Sequence, residues 1–130
     1  MHVFVLILSF IFCSALGAAM RLGLTHLAKQ ILGQVFYATF LVNLIGAACI
    51  GILYVLLQQV WQLDKGWYFV LVTGLLGSLT TFSGFSLEVV DMLLRRQWFI
   101  ALFYSLSSVF FCIVVTFMAL KLTHMWFVAK

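Results

Sequence analysis

The sequence contains no proline and very little charge. Without proline, a break in a helix has to come from glycine or from hydroxyl side chains that compete for backbone hydrogen bonds. Charged residues make up 8% of the chain and hydrophobic residues 66%, whereas a soluble domain is about a quarter charged and half apolar. This composition excludes an ordinary water-soluble domain and indicates that the fold is solvated by lipid.

Cysteine is also scarce, with three residues in the chain. Cys13, Cys49 and Cys112 each lie alone within an apolar stretch, where a free thiol behaves as a small hydrophobic group. Three isolated cysteines make neither a disulfide framework nor a metal site. The net charge of +4 is carried at the ends of the apolar stretches, so we interpret it as interfacial anchoring rather than nucleic-acid binding.

Four long apolar stretches account for most of the chain. Each is close to the roughly 18 to 20 residues that a helix needs to cross the core of a bilayer. The sequence therefore predicts an all-α integral membrane protein, a single transmembrane domain over residues 1–130 with four membrane-spanning helices. The predicted helices cover about residues 3–20, 36–57, 67–94 and 97–120.

Basic residues are almost evenly divided between the two sides of the predicted bundle. One side holds Lys65, Lys121 and Lys130, and the other holds Arg21, Lys29, Arg95 and Arg96. Such a balance gives the positive-inside rule no firm orientation to select. A chain that inserts both ways can form an antiparallel homodimer with its two-fold axis in the membrane plane. A monomer whose few loop charges happen to balance is the alternative.

The third stretch is too long to be one plain helix. From Trp67 to Leu94 it would extend about 42 Å, against a hydrocarbon core of about 30 Å. Glycine and hydroxyl residues fill its middle, Gly74–Ser86, which predicts an interruption near residues 77–81. Freed carbonyls would suit a cation there and freed N–H groups an anion. A glycine-rich helix packed closely on its neighbours is the alternative.

Three polar or aromatic positions near this segment could serve an ion path. Phe82 and Phe85 share a helix face, and the positive edges of their rings can attract a small anion, although such pairs are usually packing residues. Asn43 lies within the second stretch, where its amide needs a hydrogen-bond partner. That partner could be a neighbouring helix or a ligand held near a pore.

The fourth stretch carries a possible polar stripe. Tyr104, Ser108 and Cys112 follow one another at four-residue steps, so they share one helix face. Their polar groups could face an ion without adding charge, but serines in membrane helices more often bond their own backbone. Glu88 lies a turn and a half beyond Ser83 and could reach the mouth of a path.

The other charged residues near this end have a simpler interpretation. Asp91 can pair with Arg95 at the four-residue helical spacing. Side chains such as Arg21 and Arg96 are expected to extend towards the membrane interface. We therefore predict that these charges anchor the helix ends at the membrane interface and prefer this interpretation to a role in transport.

Taken together, these motifs resemble the bacterial fluoride channel family, called Fluc or CrcB. The similar segments are Gly17-Ala18-x-x-Arg21, Thr39-x-x-x-Asn43-x-x-Gly46, Gly74-x-x-Gly77-x-x-Thr80-Thr81-Phe82-Ser83-x-Phe85-Ser86-x-Glu88 and Tyr104-x-x-x-Ser108. The resemblance implies a dual-topology homodimer in the bacterial inner membrane that exports fluoride passively and is not an enzyme. It also implies two fluoride pathways and a structural sodium ion at the dimer centre.

The resemblance further implies a role for each site residue. Carbonyls of Gly77 and Thr80 would hold sodium. The fluoride pathway would be formed by Asn43, Thr81, Phe82, Ser83, Phe85, Tyr104, Ser108 and Cys112. Arg21 and Glu88 would lie near the vestibules. Cys112 and Gly84 depart from the family pattern, which usually has a hydroxyl residue at both positions, so the continuity of the polar track is in question there.

Two other functions are alternatives to a channel. A small proton-coupled multidrug exporter also has four short helices, but it needs a mid-membrane carboxylate that the stretch Val3 to Met20 does not contain. A scaffold subunit without transport activity would not require an interrupted helix with paired phenylalanines.

Overall fold

The computed structural model describes residues 2–129, and the terminal residues Met1 and Lys130 of the predicted domain lie outside the described residues. The chain is helical almost throughout. The α-helices are α1 (His2–Leu32), α2 (Val35–Val55), α3 (Lys65–Phe69), α4 (Gly77–Leu79), α5 (Phe82–Leu94) and α6 (Trp98–Phe127). Wider π-helical turns follow α2 at Leu56–Val60 and join α3 to α4 at Val70–Leu76.

These helices form four spans that are long and apolar enough to cross a bilayer. The spans are Val3–Leu32, Val35–Val60, Lys65–Leu94 and Trp98–Phe127, with mean hydropathies between 1.5 and 2.5. They confirm the predicted all-helical class and the predicted number of membrane-spanning segments.

Two helices extend beyond the apolar stretches from which they were predicted. Helix α1 continues to Leu32 instead of ending near residue 20, and α6 continues to Phe127 instead of residue 120. The first ends at Gly33, which has a φ of 78° and donates its N–H to the Lys29 carbonyl. Glycine tolerates this left-handed conformation, so it terminates the helix where the polar residues before it do not.

The third span changes its backbone conformation between α4 and α5. Thr80 has φ and ψ of −83° and 158°, and Thr81 has −145° and 117°. Both are therefore extended, while Gly77 to Leu79 is helical. The predicted interruption covered residues 77–81, and the non-helical residues occupy its last two positions.

Close contacts at two glycines hold the third span against the first two. A Cβ atom on Gly17 of α1 would overlap the Leu75 carbonyl, and one on Gly46 of α2 would overlap the Thr80 side chain. Small residues allow helices in lipid to approach closely, where van der Waals contacts replace the hydrophobic effect as the main attraction. Because Gly46 has no side chain, the Thr80 side chain packs directly against the backbone of α2.

Candidate functional site

The site is built on a hydrogen-bonded pair between α2 and the extended residues of the third span. Asn43 Nδ2 donates to the Thr81 carbonyl oxygen at 3.0 Å, and the Thr81 N–H donates to Asn43 Oδ1 at 2.8 Å. One amide side chain therefore satisfies both polar backbone groups of Thr81. In a bilayer such a substitute is required wherever backbone leaves the helical pattern.

This arrangement removes two carbonyls from their normal helical pairing. In a continuous helix, the Thr81 N–H would donate to Gly77 and the Gly84 N–H to Thr80. Here the first donates to Asn43 and the second to Thr81 Oγ1 at 3.0 Å. The carbonyl oxygens of Gly77 and Thr80 thus lose their usual donors, and these are the two carbonyls that the family resemblance implies as ligands of a cation.

Thr81 also begins the following helix. Its Oγ1 accepts the Gly84 N–H as an N-cap and lies 3.3 Å from Ser83 Oγ. Such a cap is worth about 1 kcal/mol. The side chain of Thr80 turns back instead, and its Oγ1 donates to the Leu76 carbonyl at 3.0 Å. Adjacent threonines therefore end one helix and start the next.

A cavity of about 430 Å³ lies beside this junction, between the second and third spans and α6. Eight of the predicted site residues line it: Asn43, Gly77, Thr80, Thr81, Phe82, Phe85, Ser108 and Cys112. We call this the central cavity. The other four predicted residues do not line it: Arg21, Ser83, Glu88 and Tyr104.

Each of these four residues has a different position. Arg21 is half-buried well inside α1, and Ser83 is exposed in the first turn of α5. Glu88 is held within the bundle, where one carboxylate oxygen accepts from Thr39 Oγ1 at 2.6 Å and the other from Tyr104 OH at 2.8 Å. Tyr104 therefore binds the carboxylate from α6.

The two phenylalanines at the site have unequal environments. Phe82 is 76% exposed, whereas Phe85 is 9% exposed. Their ring centroids are 5.5 Å apart with planes tilted by 39°, and Phe85 also contacts the Tyr104 ring at 5.2 Å. Phe85 is thus packed into the bundle, and Phe82 presents its ring at the surface beside the central cavity.

Hydroxyl and thiol groups of α6 extend along the wall of the central cavity. Ser108 is 7% exposed, and its Oγ has no hydrogen-bond partner among the described residues. Cys112 follows one turn later and is half-buried. Thr116 continues the same four-residue spacing and donates to the Ala47 carbonyl at 2.9 Å.

Thr116 and Thr39 are not among the site residues predicted from the sequence. The signal for Thr116 was the continuation of the spacing from Ser108 and Cys112. The signal for Thr39 was its place one turn before Asn43.

The predicted Asp91–Arg95 pair is confirmed at 2.9 Å, between two largely exposed side chains, where such a pair adds little stability.

The residues that line the central cavity can be compared with those that a proton-coupled exporter requires. It is mainly apolar, with an amide, hydroxyls and a thiol at its polar positions, and no Asp or Glu of residues 2–129 lines it. A proton-coupled carrier requires a titratable carboxylate in its binding site. The central cavity instead offers uncharged donors and backbone groups to a small ligand.

These features define a multi-pass, all-helical membrane protein with a central site at a helix junction. The family model described as "CrcB-like protein, Camphor Resistance (CrcB)" matches residues 8–120. The chain belongs to this family. With its four spans, membership places it in the bacterial inner membrane as a multi-pass protein.

Curated relatives cover most of this chain and of their own lengths. A protein of Mannheimia succiniciproducens is 32% identical over 111 residues, covering 85% of this chain and 87% of the relative. One from Haemophilus influenzae strain PittGG is 37% identical over 110 residues, covering 84% and 86%. One from Chloroflexus aurantiacus strain J-10-fl is 39% identical over 97 residues, covering 74% and 77%. Each is named "Fluoride-specific ion channel FluC".

Proposed function

We propose that this chain forms a fluoride-selective channel that lets fluoride leave the cell passively. The observation that carries the proposal is the pairing of Asn43 with Thr81, which fixes a polar backbone segment beside the central cavity. The names of the relatives support fluoride as the ion. The chain performs no chemistry in this role and is not an enzyme.

The cavity wall supplies uncharged donors for a small anion. The Asn43 amide has two N–H donors, and one of them is used on Thr81, so the second remains for an ion. The buried Ser108 hydroxyl has no hydrogen-bond partner within residues 2–129, which is costly unless something satisfies it. The edges of Phe82 and Phe85 add positive potential without a formal charge. Together these groups would replace the water that a dehydrated fluoride ion loses.

Two copies of the chain in antiparallel orientation would complete the pathway. Phe82 lies at the surface of a single copy, so a second copy is needed to enclose its ring beside the central cavity. The near balance of basic residues between the two sides supports insertion in both orientations. A two-fold axis would give two equivalent fluoride pathways in each dimer.

A sodium ion at the dimer centre would be a structural part of the channel. Sodium is a hard cation that carbonyl oxygens can bind, and the carbonyls of Gly77 and Thr80 have lost their usual helical donors. The same two carbonyls from each copy would hold the ion. Its charge would stabilise the four converging carbonyl dipoles, so its role would be to hold the dimer together.

The driving force for export would be the membrane potential. An inside-negative potential favours the exit of an anion by about 2.3 kcal/mol for each 100 mV. A selective open pathway therefore suffices to lower the fluoride concentration in the cytoplasm. Neither ATP nor a coupled proton is required.

The test is ion efflux from liposomes that contain the purified protein. Efflux of an anion through a channel builds up a membrane potential that opposes further efflux, and a potassium ionophore dissipates this potential. Liposomes loaded with fluoride should therefore release it when the ionophore is added, and matched liposomes loaded with chloride should retain their ion. Fluoride retention equal to that of protein-free liposomes would reject a channel. Equal release of both ions would reject selectivity.

The sodium site needs a separate measurement. Replacing sodium with N-methylglucamine on both sides should weaken the dimer, measured by single-molecule photobleaching or crosslinking in liposomes. A dimer population that is unchanged after prolonged sodium removal would reject a structural role for sodium without rejecting the channel.

A further inference from the structure

A second cavity, separate from the central one, opens between the first turns of α2 and α6. It has a volume of about 440 Å³, and its walls include Phe36 and Phe40 of α2 and Phe99, Ile100 and Phe103 of α6. We call this the aromatic groove. Phe99 is 89% exposed and Phe103 is 74% exposed, so the outer wall of the groove faces the surroundings of the helix bundle.

The aromatic groove and the central cavity lie at different levels of α6. The groove is lined there by residues between Phe99 and Tyr104, and the central cavity by residues between Ser108 and Thr116. Tyr104 and Ser108 are one turn apart on the same side of the helix, so the two cavities follow one another along the bundle.

Positive charge surrounds the end of the bundle where the groove lies. Helices α2 and α6 both begin there, and α1 and α5 end there. Lys29, Arg95 and Arg96 are exposed at these connections. Asp91 is paired with Arg95 at 2.9 Å, so the charges of Lys29 and Arg96 remain to attract an anion at the membrane interface.

Arg96 is held in a conformation that does not favour an arginine. Its φ is 60°, in the left-handed region that glycine and asparagine adopt more readily. Backbone hydrogen bonds fix the turn, because the Arg96 N–H donates to Leu93 and the Gln97 N–H to Met92. The turn presents a cation three residues before Phe99, and an unfavourable backbone conformation of this kind is a reason to look for a function of the side chain.

We infer that the aromatic groove binds an anionic phospholipid. One acyl chain lies against the phenylalanine rings, and the headgroup phosphate contacts Arg96, with Lys29 adding to the attraction. The apolar walls select a hydrocarbon chain, and the basic rim selects a negative headgroup over a zwitterionic one. The occupant is a lipid, because its hydrocarbon chain matches the phenylalanine walls and its negative headgroup complements the basic residues at this end of the bundle.

Native mass spectrometry of the purified protein in detergent can test this inference. The protein is titrated with phosphatidylglycerol and, separately, with phosphatidylcholine of the same acyl chains. Wild-type protein should bind phosphatidylglycerol about fivefold more tightly, the size of effect that one basic side chain produces near an anionic lipid. Arg96→Gln should remove most of this preference, while Arg96→Lys should keep it.

Two controls separate the site from general lipid adhesion. Lys121→Gln removes an exposed cation of α6 at the opposite end of the span and should leave the preference unchanged. Phe103→Ala should weaken both lipids, whereas Phe117→Ala, an exposed phenylalanine outside the groove, should not. Circular dichroism of each variant verifies that the helices are retained.

Several results would overturn the inference. Equal binding of the two lipids by wild-type protein would exclude headgroup selection, and equal effects of Arg96→Gln and Lys121→Gln would exclude a site at Arg96. Competition by millimolar inorganic phosphate would mean that the rim binds free anions and that no acyl chain is held. Dissociation of oligomers by Phe103→Ala would identify the groove as a protein interface.

Discussion

Asn43 binds both polar backbone groups of Thr81, across a separation of 38 residues in the chain. The side-chain amide donates to the carbonyl and accepts from the N–H of an extended residue, as the backbone of a neighbouring strand does in a β-sheet. Through this pair, α2 determines where α4 ends and α5 begins. The side chain that lines the central cavity is therefore also the one that maintains the backbone conformation beside it.

Asn43→Ala should impair both the stability of the junction and fluoride efflux. The substitution leaves the Thr81 N–H and carbonyl without partners, at a cost of about 1 to 3 kcal/mol. Efflux from liposomes and thermal unfolding in detergent measure the two effects. Gln59→Ala, which removes an exposed amide near the end of the second span, is the matched control and should change neither. Wild-type efflux in Asn43→Ala would show that the pathway has been placed wrongly.

Much of this fold could be predicted because hydropathy within one helix is a local property. The four spans follow from apolar length, and the glycine and hydroxyl residues around Gly77 to Thr81 are the basis for predicting an interruption in the third span. The partner of the freed backbone could not be predicted in this way. An isolated amide at residue 43 signals that a partner exists, but spacing in sequence does not give the distance between helices.

The role of Tyr104 shows the same limit. Helical spacing placed it on one stripe with Ser108 and Cys112 and so suggested a shared cavity. In the structure, Tyr104 binds Glu88 from α6, and Thr39 binds the same carboxylate from α2. These contacts join residues 49 and 16 positions apart in the chain, and only the crossing of three helices brings them together.

Substitutions of the two residues that donate to Glu88 should have non-additive effects on the free energy of unfolding. Thr39→Val and Tyr104→Phe each remove one donor to the carboxylate, and each should reduce the free energy of unfolding by about 1 to 3 kcal/mol. Because both donors bind the same group, the loss in the double variant should differ from the sum by at least about 0.5 kcal/mol. Thermal or denaturant unfolding in detergent measures the cycle.

The matched control for this cycle is Tyr54→Phe. Tyr54 is an exposed tyrosine of α2, and the loss of its hydroxyl should have little effect on unfolding. Strict additivity of Thr39→Val and Tyr104→Phe would mean that the two donors do not act on a common carboxylate.

The two phenylalanines should separate conduction from stability. Phe82→Ile changes a side chain that is 76% exposed within one copy and lies beside the central cavity, so it should lower fluoride efflux at least about tenfold and reduce stability less than Phe85→Ile does. That reduction corresponds to about 1.4 kcal/mol in the barrier for the ion, within the range of one favourable aromatic contact. Phe85→Ile should lower both efflux and stability, because Phe85 packs against Tyr104.

Efflux from liposomes and unfolding in detergent test this pair together. Phe117→Ile is the control, since Phe117 is an exposed phenylalanine of α6 away from the central cavity. Full efflux in Phe82→Ile would exclude an aromatic contribution from that ring. Equal loss of stability in both variants would mean that the assembled protein depends on packing at Phe82 as much as on packing at Phe85.

Two glycines of α1 provide the sharpest test of how the third span is held. A Cβ at Gly17 would overlap the Leu75 carbonyl, whereas a Cβ at Gly23 meets no atom within 4 Å. Alanine is the better helix former by about 1 kcal/mol, so Gly23→Ala should be neutral or slightly stabilising. Gly17→Ala gains the same helix propensity, but it must displace backbone of the third span, at a cost of about 1 to 3 kcal/mol. It should therefore lower the unfolding temperature in detergent and reduce efflux, since Leu75 precedes the junction by only a few residues. Equal behaviour of the two variants would show that α1 does not fix the depth of the third span.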